Sequence, residues 1–203
     1  MEASEERVMP KKPTRAQIMQ RKKRIDQLLR SAYSPDKDHL IEFSHFRHYN
    51  TTGLSLVLES GRGDKLSSNL KQYIQKLLKV NMEGPYGAEW PAEEKVKRKE
   101  MSSSEALYIF VRKVASTPDD AEASIIGFVQ YRFTIEEEIP VLYVYELQLE
   151  PTYQGKGIGK FLMQLVELIA CKFVCLLLSS ELHGCRGTHC TKKELFSNQF
   201  LLE

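Results

Sequence analysis

The stretch Val141 to Lys160, VLYVYELQLEPTYQGKGIGK, holds residues that could do chemistry at close spacing. Glu146 is a carboxylate flanked by Tyr143 and Tyr145, and desolvation among such neighbours would strengthen it as a proton acceptor. The competing reading is a polar residue on a half-exposed strand face. Eight residues later comes Gln154-Gly155-Lys156-Gly157-Ile158-Gly159. A helix that starts there offers unpaired backbone N–H groups and the positive end of its dipole. Glycines let an anion approach that backbone closely, and Lys156 and Lys160 add positive charge, so a pyrophosphate is the natural guest. Neither G-x-x-x-x-G-K-[ST] nor G-x-G-x-x-G fits, since Lys160 stands where the latter needs glycine. A plain strand–turn–helix joint is the alternative.

The elements that must position these groups are legible around them. Val141 to Leu149 alternates as a strand, with Val141, Tyr143, Tyr145, Leu147 and Leu149 on one face and Leu142, Val144, Glu146, Gln148 and Glu150 on the other. Beyond the turn, Phe161, Leu162, Leu165, Leu168 and Ile169 form a helical apolar stripe. Upstream, Thr14 caps a predicted helix to Ala32 whose narrow stripe is Ile18, Ile25, Leu28 and Leu29 and whose other face is basic. Arg21 to Arg24, RKKR, reads as a solvated face, a nuclear import signal or a nucleic-acid contact. Ser34 to Asn50 is a connector, and its His39, His45 and His48 match no metal-ligand spacing. Gly53 to Ser60 is the first strand, and Leu66 to about Asn81 is a helix with Leu70, Tyr73, Ile74, Leu77 and Leu78 on one side. Asn81 to Trp90 is expected as a loop, its Tyr86 and Trp90 either plugging the core edge or walling a substrate site. Glu93 to Met101 is a highly charged helix. Leu107 to Val114 and Ile125 to Phe133 are further strands.

With 203 residues, 42% of them hydrophobic, the chain suits one globular core with tails. A net charge of +2 is too small to mark a general polyanion binder, so no direct nucleic-acid partner is expected. No apolar run approaches the ~20 residues of a membrane span, and an N-terminal signal segment is not evident. An intracellular, membrane-free protein with Cys171, Cys175, Cys185 and Cys190 as reduced thiols is the expectation.

The Gln154–Gly159 turn resembles the [QR]-x-x-G-x-[GA] turn of GCN5-related N-acetyltransferases. Together with Leu142 to Glu150, Tyr131-Arg132-Phe133, Asn81-Met82 and Glu89-Trp90, it makes roughly residues 15 to 172 similar to the histone-specific N-alpha-acetyltransferases, the N-terminal acetyltransferase D family. The resemblance implies an α+β fold of that superfamily, a mixed and mostly antiparallel sheet with helices on both faces. Four stretches are expected: a tail at 1–14, polar and containing Pro10 and Pro13 and so read as disordered, a basic helix and connector at 15–50, the acetyltransferase domain that the resemblance implies at 51–172, and an atypical segment at 173–203. It implies acetyl-CoA as co-substrate, held by Leu147, Gln148 and Leu149 along the pantetheine arm and by Gln154, Gly155, Lys156, Gly157, Ile158 and Gly159 at the pyrophosphate. Glu146 and Tyr145 are then catalytic, while Tyr86, Trp90, Tyr143 and Tyr145 line the slot for the acceptor. The acceptor is a histone N-terminus beginning Ser-Gly-Arg-Gly, with Glu136 to Glu138 attracting the basic tail. A monomer in nucleus and cytoplasm, with histone tails as partners and no metal, completes the expectation. Thr134 departs from the family's aspartate, which weakens one arginine contact.

After Lys172 the chain leaves the family pattern, reading FVCLLLSSELHGCRGTHCTKKELFSNQFLLE. His183, Cys185, His189 and Cys190 are spaced too irregularly for a standard metal site. A one-nucleotide frame shift from His183 permits, with allowed codons, a peptide similar to the family's missing strand and helix. An alternative splice product or gene-model error is therefore expected, with C-terminal strands missing and activity reduced. The competing readings of function are a GCN5-related transferase for lysine or small amines and a non-catalytic binder of acetyl-CoA or histone tails.

Overall fold

The computed structural model describes residues 14–51, 53–114, 124–136 and 139–178. Strands β1 (His48–Thr51), β2 (Leu54–Arg62), β3 (Leu107–Lys113), β4 (Ile125–Glu136) and β5 (Ile139–Leu149) form one sheet in the order β1-β2-β3-β4-β5. Every pairing is antiparallel, so the sheet expected to be mixed shows no parallel pair among the described residues. Helices α1 (Arg15–Ala32) and α4 (Ile158–Leu178) cover one face, and α2 (Ser68–Tyr86) and α3 (Trp90–Met101) the other. This is the α+β arrangement read from the sequence.

The two faces have separate cores because alternate strand residues point to opposite sides. On one side Leu56, Leu58, Ile109, Val129 and Tyr131 pack with Leu162, Leu165, Val166 and Ile169 of α4. On the other, Ile74, Leu77, Trp90 and Met101 meet Tyr108, Phe110 and Phe128. Helix α1 begins in a capping box: the Thr14 hydroxyl accepts from Gln17 N at 3.3 Å, and the Gln17 side chain accepts from Thr14 N at 2.8 Å. Its buried stripe starts at Ile25, whereas Ile18, expected within it, is exposed. Tyr33 then ties α1 to β4, its hydroxyl donating to Phe133 O at 2.6 Å and accepting from Phe133 N at 2.9 Å.

Three expectations need correction. The connector before Asn50 contains β1, which pairs His48–Thr51 with Leu54–Val57; its polar residues carry no alternation, so only pairing reveals it. The predicted loop from Asn81 is the continuation of α2, which runs on through Gly84 and Pro85 to Tyr86. Pro85 sits in the last turn, where it forfeits the one bond its nitrogen would donate four residues back but has almost no helix beyond it to kink, and Gly87 ends the helix at φ +52°. Finally, the simple alternation from Val141 to Glu150 is interrupted. Gln130 opposes Glu146 but Tyr131 opposes Val144, leaving Tyr145 as the extra residue of a β-bulge. Leu142, Val144, Leu147 and Leu149 therefore all serve the α1/α4 core. The bulge turns Tyr143, Tyr145, Glu146 and Gln148 toward α2 and α3. The segments 1–13 and 179–203, with the tail and frame-shift expectations, and Glu137 and Glu138 lie outside the described residues.

Close backbone approach seats β5 against β4 at Gly127, where a Cβ would stand 2.5 Å from Gln148 O and 2.6 Å from Leu149 Cδ2. Gly127→Ala should therefore destabilise the domain by about 1–3 kcal/mol, the usual range for overpacking. Urea denaturation would show it as a lower midpoint with an unchanged slope.

Candidate active site

Glu146 lies just after the bulge, only 3% exposed. Its Oε1 pairs with the Nζ of Lys97 from α3, and its Oε2 accepts from Gln148 Nε2 at 2.8 Å. Gln148 is held in turn by Asn81 of α2, whose Nδ2 donates to Gln148 Oε1 at 2.9 Å and to Leu149 O at 3.0 Å. A carboxylate this deep needs such partners, because its desolvation is otherwise uncompensated. The surroundings expected from the sequence were apolar and tyrosine-rich; the structure adds a cation. Burial would lower the lysine's proton affinity, but the bond and charge of Glu146, with Tyr86, outweigh it and hold Lys97 above the usual lysine value. The ammonium lies 5.5 Å from the centre of the Tyr86 ring, a cation–π distance.

The tyrosines expected at the site gather on the same side. Tyr143 and Tyr145 have ring centroids 4.7 Å apart, and the Arg132 guanidinium sits 4.6 Å from the Tyr145 ring. Arg132 is oriented by a 2.8 Å bond to Glu100 O at the end of α3. Burial pushes the Tyr145 phenol up, against the opposing pull of Arg132, so it stays a neutral hydroxyl. Tyr86, half-buried, ends α2 and lies 6.0 Å from Trp90, ring to ring. Trp90 itself is 3% exposed within the α2/α3 core, so the packing reading left open for it describes its contacts here. Its Nε1, together with Gln130 Nε2 and Arg132 Nε, is a buried donor with no hydrogen-bond partner among the described residues.

The glycine turn is built as the motif requires. Gly155 at φ +70° and Gly157 at φ +79° adopt the left-handed conformation that glycine takes without strain, and Ile158 opens α4. Among the described residues, the chain neighbours aside, no atom lies within 4 Å of a Cβ placed on Gly155, and one on Gly157 would meet Tyr49 OH alone, at 3.3 Å. Tyr49 of β1 pins the turn by donating to Lys156 O at 3.1 Å. Lys156 lies over the Tyr153 ring at 5.1 Å. Exposed glycine backbone, a helix N-terminus and a lysine thus suit a pyrophosphate. Leu147, Gln148 and Leu149 lead into that turn along the edge of the described sheet, where alternate backbone groups face outward. Leu149 O is already engaged by Asn81 and by Gln154 Nε2, the latter at 3.0 Å.

Sequence reasoning missed Lys97 and Tyr49, and it gave no role to Asn81 and Arg132, which entered only through the resemblance. A signal for Lys97 was present: Trp90, Glu94, Lys97 and Met101 follow helical spacing, and both ends of that stripe are core residues. His39, set aside as a metal ligand, has a packing role. Its Nε2 meets Ala32 O at 3.0 Å and its ring lies 5.2 Å from that of Phe133.

The model of the acetyltransferase (GNAT) family matches residues 72–177, just over half the chain. Among solved structures, the chain overlaps the GCN5-related glucosamine N-acetyltransferase region of a fungal multi-domain GH3 β-N-acetylglucosaminidase at 18% identity and TM-score 0.40. That overlap covers 57% of this chain and only 12% of that one. A ribosomal-protein-alanine N-acetyltransferase from Brucella melitensis overlaps at 15% identity and TM-score 0.39, covering 58% of this chain and 72% of that one. An aminoglycoside 6′-N-acetyltransferase complexed with coenzyme A overlaps at 18% identity and TM-score 0.38, covering 57% and 56%.

The titrating groups around the site predict loss of stability in alkali. Burial, partly offset by the Phe133 backbone bond, raises Tyr33 from 10.0 to about 12. Lys97 is raised as well, and Tyr73 is pushed up by burial and by Glu150. Each holds its proton more tightly folded than unfolded, so its contribution is complete below about pH 10 and disappears as pH rises through the folded value. Denaturation midpoints measured across pH 9–12 should fall, and Tyr33→Phe should flatten that fall.

Proposed function

Because this chain belongs to the acetyltransferase (GNAT) family, we propose that it moves the acetyl group of acetyl-CoA to the N-terminal amine of histones beginning Ser-Gly-Arg-Gly. The observation that carries this reading is the buried Glu146 carboxylate beside Tyr143 and Tyr145, on the strand that feeds the glycine turn. The histone acceptor rests on the resemblance carried by Leu142–Glu150, Tyr131–Phe133 and Glu89–Trp90. With it come histone tails as partners, a monomeric state and a nuclear and cytoplasmic location.

Backbone N–H groups of the Gly155–Gly159 turn hold the pyrophosphate of acetyl-CoA, and the β5 edge at Leu147–Leu149 guides its pantetheine arm. The acceptor nitrogen attacks the thioester carbonyl carbon as the carbon–sulfur bond breaks. The nitrogen's proton passes to Glu146, directly or through water. The departing sulfur takes a proton from the neutral Tyr145 hydroxyl, and solvent returns both groups to their starting states. Once the nitrogen is bonded to the carbonyl carbon its proton is strongly acidic, so an ion-paired carboxylate is base enough. An α-amine, with a pKa near 8, is partly neutral at the working pH, whereas a lysine amine near 10.4 is mostly charged. This favours an N-terminal acceptor for a site whose carboxylate already holds a cation.

Incubating the protein with acetyl-CoA and a peptide that begins Ser-Gly-Arg-Gly and carries a lysine further along, read by fragment mass, tests the proposal. Acetyl on the α-amine is expected. Acetyl on a lysine would mark a lysine transferase, and cofactor binding without transfer would mark a binding module. Gly157→Val places a β-branched residue at φ +79° against Tyr49 and should weaken acetyl-CoA binding by calorimetry while leaving the fold intact. Glu146→Gln should lower turnover by roughly 10²–10⁴-fold with little change in acetyl-CoA affinity, and rising pH should partly restore it.

A further inference from the structure

Lys97 takes no part in the chemistry just described, yet its ammonium is among the most enclosed charges in the described protein. Its side chain is 11% exposed, its Nζ is paired with Glu146, and it faces the Tyr86 ring at 5.5 Å. The stem comes from α3 on the same stripe as the buried Trp90 and Met101, so it enters between the helix and the sheet rather than from solvent. The other carboxylate oxygen of Glu146 is bound by Gln148, itself fixed by Asn81. One carboxylate is thereby clamped from two helices, by a cation on α3 and through an amide relay to α2.

We propose that Lys97 is a positioning residue for acetyl transfer, holding the Glu146 carboxylate in one orientation on the α3 side of the β5 bulge. This deepens the proposed function and rests on Glu146 acting there. Gln148 constrains one oxygen only, and a carboxylate held at a single point keeps the freedom to turn about its own bond. The ammonium removes that freedom, and Tyr86 keeps the ammonium from turning away. Glu146 and Tyr86 are the groups whose charges reach Lys97. The charge of Glu146 is felt in turn by Tyr108, as are those of Arg132 and Glu100.

The test compares Lys97→Met, Lys97→Arg, Lys97→Ala, Glu146→Gln and the double variant Lys97→Met/Glu146→Gln, with acetyl-CoA and the Ser-Gly-Arg-Gly peptide. Lys97→Met should lose on the order of 10²-fold in kcat, as misplacement of a reacting group commonly costs, with acetyl-CoA affinity unchanged. Lys97→Arg should recover part of that loss, and n-propylammonium should restore Lys97→Ala saturably by refilling the cation position. The decisive readout is non-additivity: a residue acting through Glu146 adds no further loss once Glu146 is gone. Losses that multiply in the double variant, or no rescue by arginine and alkylammonium in folded protein, overturn the proposal. If Glu146→Gln alone retains parent turnover, the assignment of Glu146 as base has failed; a slow Lys97→Met in that background overturns the Lys97 proposal too. A readout free of activity is the alkaline titration of Lys97 Nζ by nitrogen NMR, which should move to lower pH in Glu146→Gln. An unmoved titration would show that the pair does not form and would overturn the proposal even in a protein that transfers nothing.

Discussion

One residue too many in β5 governs the rest of this site. Between Gln130–Glu146 and Tyr131–Val144 the two strands fall out of step, and Tyr145 has no partner across the ladder. Without that bulge, strict alternation from Leu142 would send Glu146 to the side of Leu142 and Val144, into the α1/α4 core. There it would meet leucines, isoleucines and phenylalanines. With the bulge, the apolar residues on both sides of Tyr145 reach one core while the tyrosines and the carboxylate reach the other face.

A second constraint follows from the first. Once Glu146 is buried beneath α3, its charge must be compensated there, and Lys97 does so. Coulomb attraction in such a place is strong, but both ions have been stripped of water, so the pair is weak evidence of net stabilisation. Its value lies in making the carboxylate, α3 and the Tyr86 end of α2 mutually dependent. Continuing α2 through Gly84 and Pro85 matters for the same reason, since it carries Tyr86 to the ammonium.

The glycine turn depends on the sheet in a different way. Its left-handed glycines shape the entry to α4, but its placement comes from β1, whose Tyr49 holds Lys156 O, and from Gln154 reaching back to Leu149 O. The carboxylate and the glycine-turn backbone thus sit at the two ends of one short segment, 146 to 159. Gly127 lets β4 approach that segment closely enough to seat it.

Local information was sufficient for much of this protein. The cap at Thr14, the apolar stripe of α2, the strands at 107, 125 and 141 and the glycine turn all rest on neighbours within a few residues, and they stand where the sequence reading put them; in α4, Leu162, Leu165 and Ile169 are buried as expected, whereas Leu168, expected with them, is exposed. The chemical types at the site were legible as well, because Glu146 and the tyrosines stand out in an otherwise apolar strand. What the linear chain does not contain is the partner across a gap. The polar strand β1 exists through its hairpin with β2, and the fate of Pro85 was decided by its place in the last turn of a helix long enough to absorb it. The bulge is a mismatch between two strands and has no signature in either alone. Lys97 stands 49 residues from Glu146 in sequence, one charge among many on a helix that reads as solvated. Only the folding of α3 onto the β5 bulge makes it the counter-ion, because a buried charge is paired by whatever the tertiary structure brings within reach.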